Sequence, residues 1–148
     1  LVKTGNSQII YDFVCKHMRF INNWDLVDTI APHVIGRHLY DKNRQLLQTW
    51  AEDKNLWTRR TAIVATHHFI RQHHFEDTLI IAKKLLGDSE DLIHKATGWM
   101  LREVGKCDRA VEEKFLMKHY HKMPRTMLRY AIEHFPEKRR KDYLLGNI

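Results

Sequence analysis

Trp24 and Asp28 stand four residues apart, a spacing that puts both side chains on one face of a helix. A carboxylate stabilises developing positive charge by its own charge, and an indole face does so through its ring quadrupole. Trp99 and Glu103 repeat the spacing, so the Trp-x-x-x-acid pattern is not diagnostic by itself. Read from these residues alone, Trp24 and Trp99 are core tryptophans and Asp28 is a structural carboxylate of its helix. Asp25 points about a quarter-turn away from Asp28 and reads as a partner of the helix N-terminal dipole. Trp50 and Trp57 read as packing residues.

Eleven histidines invite a metal reading. In the densest cluster, His67, His68, His73 and His74, no two are three or four apart, and His33 and His38 fail the same test. A zinc-ligand pattern is therefore absent, and neither a metal nor any other cofactor is expected. Cys15 and Cys107 form no CxxC pair and read as small fillers. Two isolated thiols suit a reducing compartment, so the expected location is the cytoplasm.

The elements that must position these residues are helical. Only six Gly and three Pro punctuate the 148 residues, and strand signals are scarce. Ile9, Ile10, Phe13, Val14 and His17 share one stripe. A helix beginning at Trp24 is expected to end at Pro32, with a separate one carrying Val34, Ile35 and His38. Further helices are expected over about 43–53, 56–71, 76–86, 90–104, 109–119, 124–135 and 137–145. Asp88 or Ser89 is placed to cap the fourth of these downstream segments, 90–104, and Gly105 to stop it.

A repeat runs through this pattern. Arg60-Thr61-Ala62 resembles His94-Lys95-Ala96 and Arg129-Tyr130-Ala131, so the three alanines lie 34 and then 35 residues apart. That interval is the length of two helices and a turn, which is the signature of an α-solenoid. A small residue at a set place lets neighbouring helices approach closely. If the same helix of each repeat lines the concave side, Arg59, Arg60, His94, Lys95, Arg125 and Arg129 form a basic stripe suited to a duplex backbone. Lys138, Arg139, Arg140 and Lys141 read as a solvated face. The net charge of +7 favours a polyanionic partner, and no apolar run approaches the ~20 residues that span a bilayer.

Three segments in order carry a family resemblance: Asn23-Trp24-Asp25-Leu26-Val27-Asp28, Trp57-Thr58-Arg59-Arg60-Thr61-Ala62, and Lys95-Ala96-Thr97-Gly98-Trp99-Met100-Leu101-Arg102-Glu103. Together they resemble the AlkD-type DNA alkylation repair family, the HEAT-like repeat alkylpurine DNA glycosylases. The resemblance covers roughly residues 8 to 140. It implies a right-handed solenoid of antiparallel helix pairs clamping duplex DNA, acting as a monomer on the bacterial nucleoid. It implies hydrolysis of the N-glycosidic bond of N3- and N7-alkylated purines. It places the catalytic carboxylate on Asp28, makes Trp24 and Trp99 aromatic walls, and makes Arg60 a backbone contact beside the lesion. Arg59, Lys95 and Arg129 complete the expected DNA-binding set. Relatives usually carry more helices before the first segment, so residues 1–148 are expected to form one repeat domain in which those helices are missing or not included.

This chemistry is consistent with the residues. Glycosidic hydrolysis normally uses two carboxylates, one of which protonates the leaving group. A purine alkylated at N3 or N7 is already cationic and leaves neutral, so one carboxylate suffices. A solenoid groove offers no deep pocket, so the lesion is expected to be processed while largely stacked rather than extruded. Two other readings stay open: a non-catalytic HEAT-like DNA-binding module, and a protein-binding scaffold whose concave face takes an acidic peptide.

Overall fold

The computed structural model describes residues 6–148, and every regular element among them is helical. The chain runs through α1 (Ser7–His17), α2 (Trp24–Ile30), α3 (Arg37–Leu39), α4 (Gln45–Trp50), α5 (Leu56–Ala65), α6 (His67–Arg71) and α7 (Glu76–Lys84). It continues through α8 (Asp91–Cys107), α9 (Arg109–His119), α10 (Arg125–Ala131) and α11 (Glu137–Leu145). Side chains start several of these helices by accepting orphan backbone N–H groups. Asn23 Oδ1 accepts from Leu26 at 3.1 Å, Asn55 Oδ1 from Trp57 at 2.8 Å, and Asp108 Oδ1 from Ala110 and Val111 at 3.0 and 3.2 Å. Pro124 and Pro136 stand immediately before α10 and α11, where a missing N–H costs nothing.

The helices stack in order. α2 packs on α5, α5 on α8, and α8 on α10, while α4, α7 and α9 lie against that row. This succession is consistent with a solenoid of helix pairs. Ala62, Ala96 and Ala131, the three repeat alanines, are all buried. Polar ties cross between repeats at an interval one to three residues shorter than the alanine repeat. Arg60 reaches Asp28 and the Leu92 carbonyl, each 32 residues away; Lys84 reaches Glu52, also 32 away; Arg44 reaches Asp77, 33 away. Ile63, Phe69, Ile81, Ile93, Met100, Leu101 and Leu116 fill the core between the layers. Each such side chain contributes about 1.5–3 kcal/mol by its removal from water.

Glycine sets the closest approach. A Cβ on Gly98 would collide with the Met127 carbonyl and with Tyr130, so α8 and α10 touch only because position 98 is bare. Gly98 directly precedes Trp99, so this contact also determines where the indole emerges.

The structure departs from the sequence reading where punctuation residues serve packing. Pro32 does not end α2. Residues Ala31–Gly36 form a π-helical stretch that runs straight into α3. Proline lacks the N–H that the Asp28 carbonyl would accept four residues back, and widening the turn relieves the ring's clash with that carbonyl. Gly105 does not stop α8, which continues to Cys107; its missing side chain makes room for the carboxyl of Glu112. No side chain caps α8, because Asp88 accepts the Glu90 N–H at 2.9 Å and is held by Arg59. The expected 56–71 helix breaks at Thr66, whose hydroxyl donates to the Ile63 carbonyl at 2.7 Å. Of the first stripe, Val14 is buried, whereas Ile9 and Phe13 are exposed.

The dense histidine cluster also has a structural explanation. His73 adopts a left-handed conformation, φ 59°, and closes α6. Its N–H donates to the Ile70 carbonyl at 2.9 Å, and that of His74 to Phe69 at 3.0 Å, which is the Schellman pairing. Among the described residues no group of three or more His, Cys, Asp or Glu stands close enough to hold a metal.

Candidate functional site: a cleft between α2, α5, α8 and α10

Asn23 caps α2 and thereby sets the helix phase. Trp24 and Asp28 then point into one cleft, one turn apart. α5 supplies Arg60, α8 supplies Leu92, Lys95, Trp99 and Arg102, and α10 supplies Tyr130. The α8 residues recur at intervals of three and four, so they form one face of that helix. The cleft has a volume of about 360 Å³ and is open on one side.

Its floor is an ion pair. Arg60 Nε donates to Asp28 Oδ1 at 3.0 Å, and Nη2 donates to Oδ2 at 2.9 Å. This is the fork geometry in which guanidinium and carboxylate bind most strongly. Arg60 Nη1 donates to the Leu92 carbonyl at 2.5 Å. Arg60 is buried, and its hydrogen bonds join α2, α5 and the start of α8. It therefore holds Asp28, and in this structure it does not extend toward solvent. Asp28 remains partly open, with 21% of its side chain accessible. A carboxylate has about four lone-pair sites, so two face away from the fork.

The walls are aromatic. Trp24 stands at the rim, 52% exposed, too open for a core tryptophan. Trp99 is half-buried, and its indole N–H donates to Glu103 Oε1 at 3.1 Å. Lys106 donates to the same oxygen at 2.8 Å, and His67 Nε2 lies 3.8 Å from Oε2 with its ring 5.6 Å from the Trp99 ring. Burial pushes the Glu103 carboxyl upward, but its bond to Lys106 and the charges of Lys106, His67 and Arg102 outweigh that and hold it below the usual range. An ionised Glu103 therefore fixes the indole. His67 is pushed down by burial and by Arg71, against the pull of Glu103.

Cationic groups border the cleft. Lys95 pairs with Asp91 at 2.9 Å on the exposed face of α8, and that bond raises its pKa. Arg102 pairs with Glu133, while its buried Nε has no hydrogen-bond partner among the described residues.

Five residues expected in the site converge: Trp24, Asp28, Arg60, Lys95 and Trp99. Arg59 does not join them. Its Nε and Nη2 donate to Asp88 at 2.6 and 3.3 Å, and its Nη1 donates to the carbonyls of Asp53 and Lys54 at 3.0 and 2.9 Å. Arg129 is exposed on α10 but does not line the cleft, and Arg125 donates to the Leu144 carbonyl. In the last basic run, Arg139 pairs with Glu113 and Lys141 with Glu137. Sequence reading gave no site role to Arg102 or Tyr130, and it set aside Glu103, the i+4 partner of Trp99, as not diagnostic. Tyr130 was findable, since it occupies the place in the third repeat that Lys95 holds in the second, directly before the alanine. Arg102 lies three residues after Trp99 and shares its face.

No curated protein matches this sequence. A family model described as DNA alkylation repair enzyme matches residues 2–135, nearly the whole chain, and spans every residue of the cleft. The chain belongs to the DNA alkylation repair enzyme family.

Proposed function

We propose that this protein is a DNA glycosylase that releases N3- and N7-alkylated purines from duplex DNA, with Asp28 as its catalytic carboxylate. The observation that carries the reading is the partly open Asp28, gripped by Arg60 and lining one cleft with Trp24 and Trp99. The bond from C1′ to the alkylated base breaks, and its electron pair neutralises the cationic purine. Positive charge develops on the deoxyribose. Asp28 stabilises that charge through a lone pair free of Arg60, and Trp24 offers its ring face to the sugar. Water then attacks C1′, and its proton passes to the carboxylate and on to solvent.

The magnitude is adequate. A unit charge pair at 4 Å contributes about 4 kcal/mol at an effective dielectric of 20, or roughly a thousandfold in rate. Arg60 offsets part of this, but it also holds the carboxylate in place before the reaction. Because the cleft is open, the lesion is processed while still largely stacked. Lys95 binds backbone phosphate beside it.

One observation favours a non-catalytic reading. The Asp28–Arg60 pair spans the same interval as Lys84–Glu52 and nearly that of Arg44–Asp77, so it also fits a purely structural tie between repeats. Base release discriminates the two. Wild-type protein incubated with methylated duplex is expected to free 7-methylguanine or 3-methyladenine, measured by chromatography. Asp28→Asn is expected to stay folded by circular dichroism and to bind the duplex, yet release almost nothing. A wild type that binds duplex DNA and frees no base sinks the proposal in favour of a binding module.

A further inference from the structure

A second concave surface lies between α7 and α9 and shares no residue with the Asp28 cleft. Leu79, Val111 and Phe115 form its floor, and Lys83, Lys114 and Lys118 form its rim, around a volume of about 380 Å³. Val111, Lys114, Phe115 and Lys118 fall at i, i+3, i+4 and i+7, so a single face of α9 presents both the apolar and the basic groups. The stretch from Val111 to Lys118 is about 10 Å long at 1.5 Å per residue, close to two helical turns.

The rim charges are uncompensated. No carboxylate lines the groove, and none pairs with Lys83, Lys114 or Lys118 among the described residues. Their neighbours are not left so: Lys84 is bound to Glu52, and Glu113 is held by Arg139. His119 at the end of the groove has its pKa lowered by burial and then by Lys83, Lys122 and Lys118. Met117, 58% exposed, extends the apolar surface beside Lys114 and Lys118.

We infer that this groove docks a short acidic amphipathic helix from a partner protein, about two turns long, with its apolar side on Leu79, Val111 and Phe115 and its carboxylates on the lysine rim. A duplex has charge for the rim but nothing apolar for the floor. A bilayer takes side chains that protrude, whereas Leu79 and Val111 are half-buried and Phe115 is buried beside the exposed lysines. An acidic amphipathic helix matches both the floor and the rim.

The probe is a fluorescein-labelled peptide of about fourteen residues, with leucines at i, i+4 and i+7 and glutamates on both flanks. A scrambled peptide of identical composition is the control. At about 0.15 M salt, where exposed charges beyond ~8 Å are screened, the patterned peptide is expected to bind and to shift the amide resonances of Leu79, Val111 and Lys118. The double variant Lys114→Glu/Lys118→Glu is expected to weaken that binding at least tenfold, with duplex DNA affinity changed less than about threefold. Several results overturn the inference: no binding, equal binding of the scrambled peptide, equal binding by the charge-reversed variant, or shifts confined to Trp24 and Trp99. Shifts at Leu79 and Val111 that appear with phosphatidylserine vesicles and not with the peptide also overturn it, in favour of a membrane surface.

Discussion

Arg59 and Arg60 are adjacent on α5, and each forks onto an aspartate, yet they build different kinds of place. Arg59 binds Asp88 and two loop carbonyls, and only 7% of the Asp88 side chain is accessible. Arg60 binds Asp28, whose side chain is 21% accessible and lies in an open cleft between tryptophans. The pairing chemistry is the same in both. What separates a brace from a candidate site is what the carboxylate's remaining lone pairs face. At Asp88 they face protein, including the Glu90 N–H; at Asp28 they face an open cleft of about 360 Å³.

The largest effect expected from this comparison is on the brace. Asp88→Ala leaves the half-buried Arg59 without its carboxylate, which costs up to about 3 kcal/mol, the lower end of the range for fully buried pairs. Urea unfolding reads that loss, and the surviving folded protein is expected to release base at the wild-type rate. A fall in release beyond the fall in folded fraction breaks the division between brace and site.

Glu112 sharpens the comparison, because it is a buried carboxyl without a guanidinium fork. Burial, reinforced by Glu113 and opposed by Arg109 and Arg102, pushes its pKa up to about 8, and Oε1 has no hydrogen-bond partner among the described residues. Between pH 4.5 and 8 the folded state holds a proton there that the unfolded chain has lost. This contribution to stability is complete below the unfolded pKa and is lost as pH rises through the folded one, at up to about 1.4 kcal/mol per pH unit. Glu112→Gln is expected to flatten that decline, measured as unfolding free energy against pH. An unchanged slope contradicts the assignment of the proton to Glu112.

Two smaller effects concern the cleft wall and rim. Glu103→Gln removes the charge that fixes the Trp99 indole, and base release is expected to fall about tenfold, or ~1.4 kcal/mol in the barrier. Tryptophan fluorescence anisotropy should fall with it; a rate change without that signature assigns Glu103 another role. Lys95→Ala is expected to lower the salt dependence of duplex binding by about one phosphate contact, ~0.9 in the logarithmic slope. An unchanged slope removes Lys95 from the interface.

Much of this was legible in the residues, for physical reasons. The start of α9 at Arg109 follows from Asp108, and that of α11 from Pro136, because caps and prolines act locally. The alanine repeat was legible because each small residue is squeezed between helices. Trp24 and Asp28 share a face by helix phase alone. Which arginine takes which aspartate was not legible, since the partners lie 29 and 32 residues away and the choice is made by stacking. Pro32 and Gly105 read as stops, but a π stretch absorbs one and Glu112 packs on the other. Locally a residue that ends a helix and one that admits a neighbour look alike.

The most direct test of the account is a single-turnover comparison of Asp28→Asn and Asp88→Asn on one methylated duplex, with rates normalised to folded, DNA-bound protein. The account predicts a loss of roughly a thousandfold for Asp28→Asn and a rate within about threefold of wild type for Asp88→Asn. Equal losses, or retained activity in Asp28→Asn, would contradict it and leave Asp28–Arg60 as one more brace between repeats.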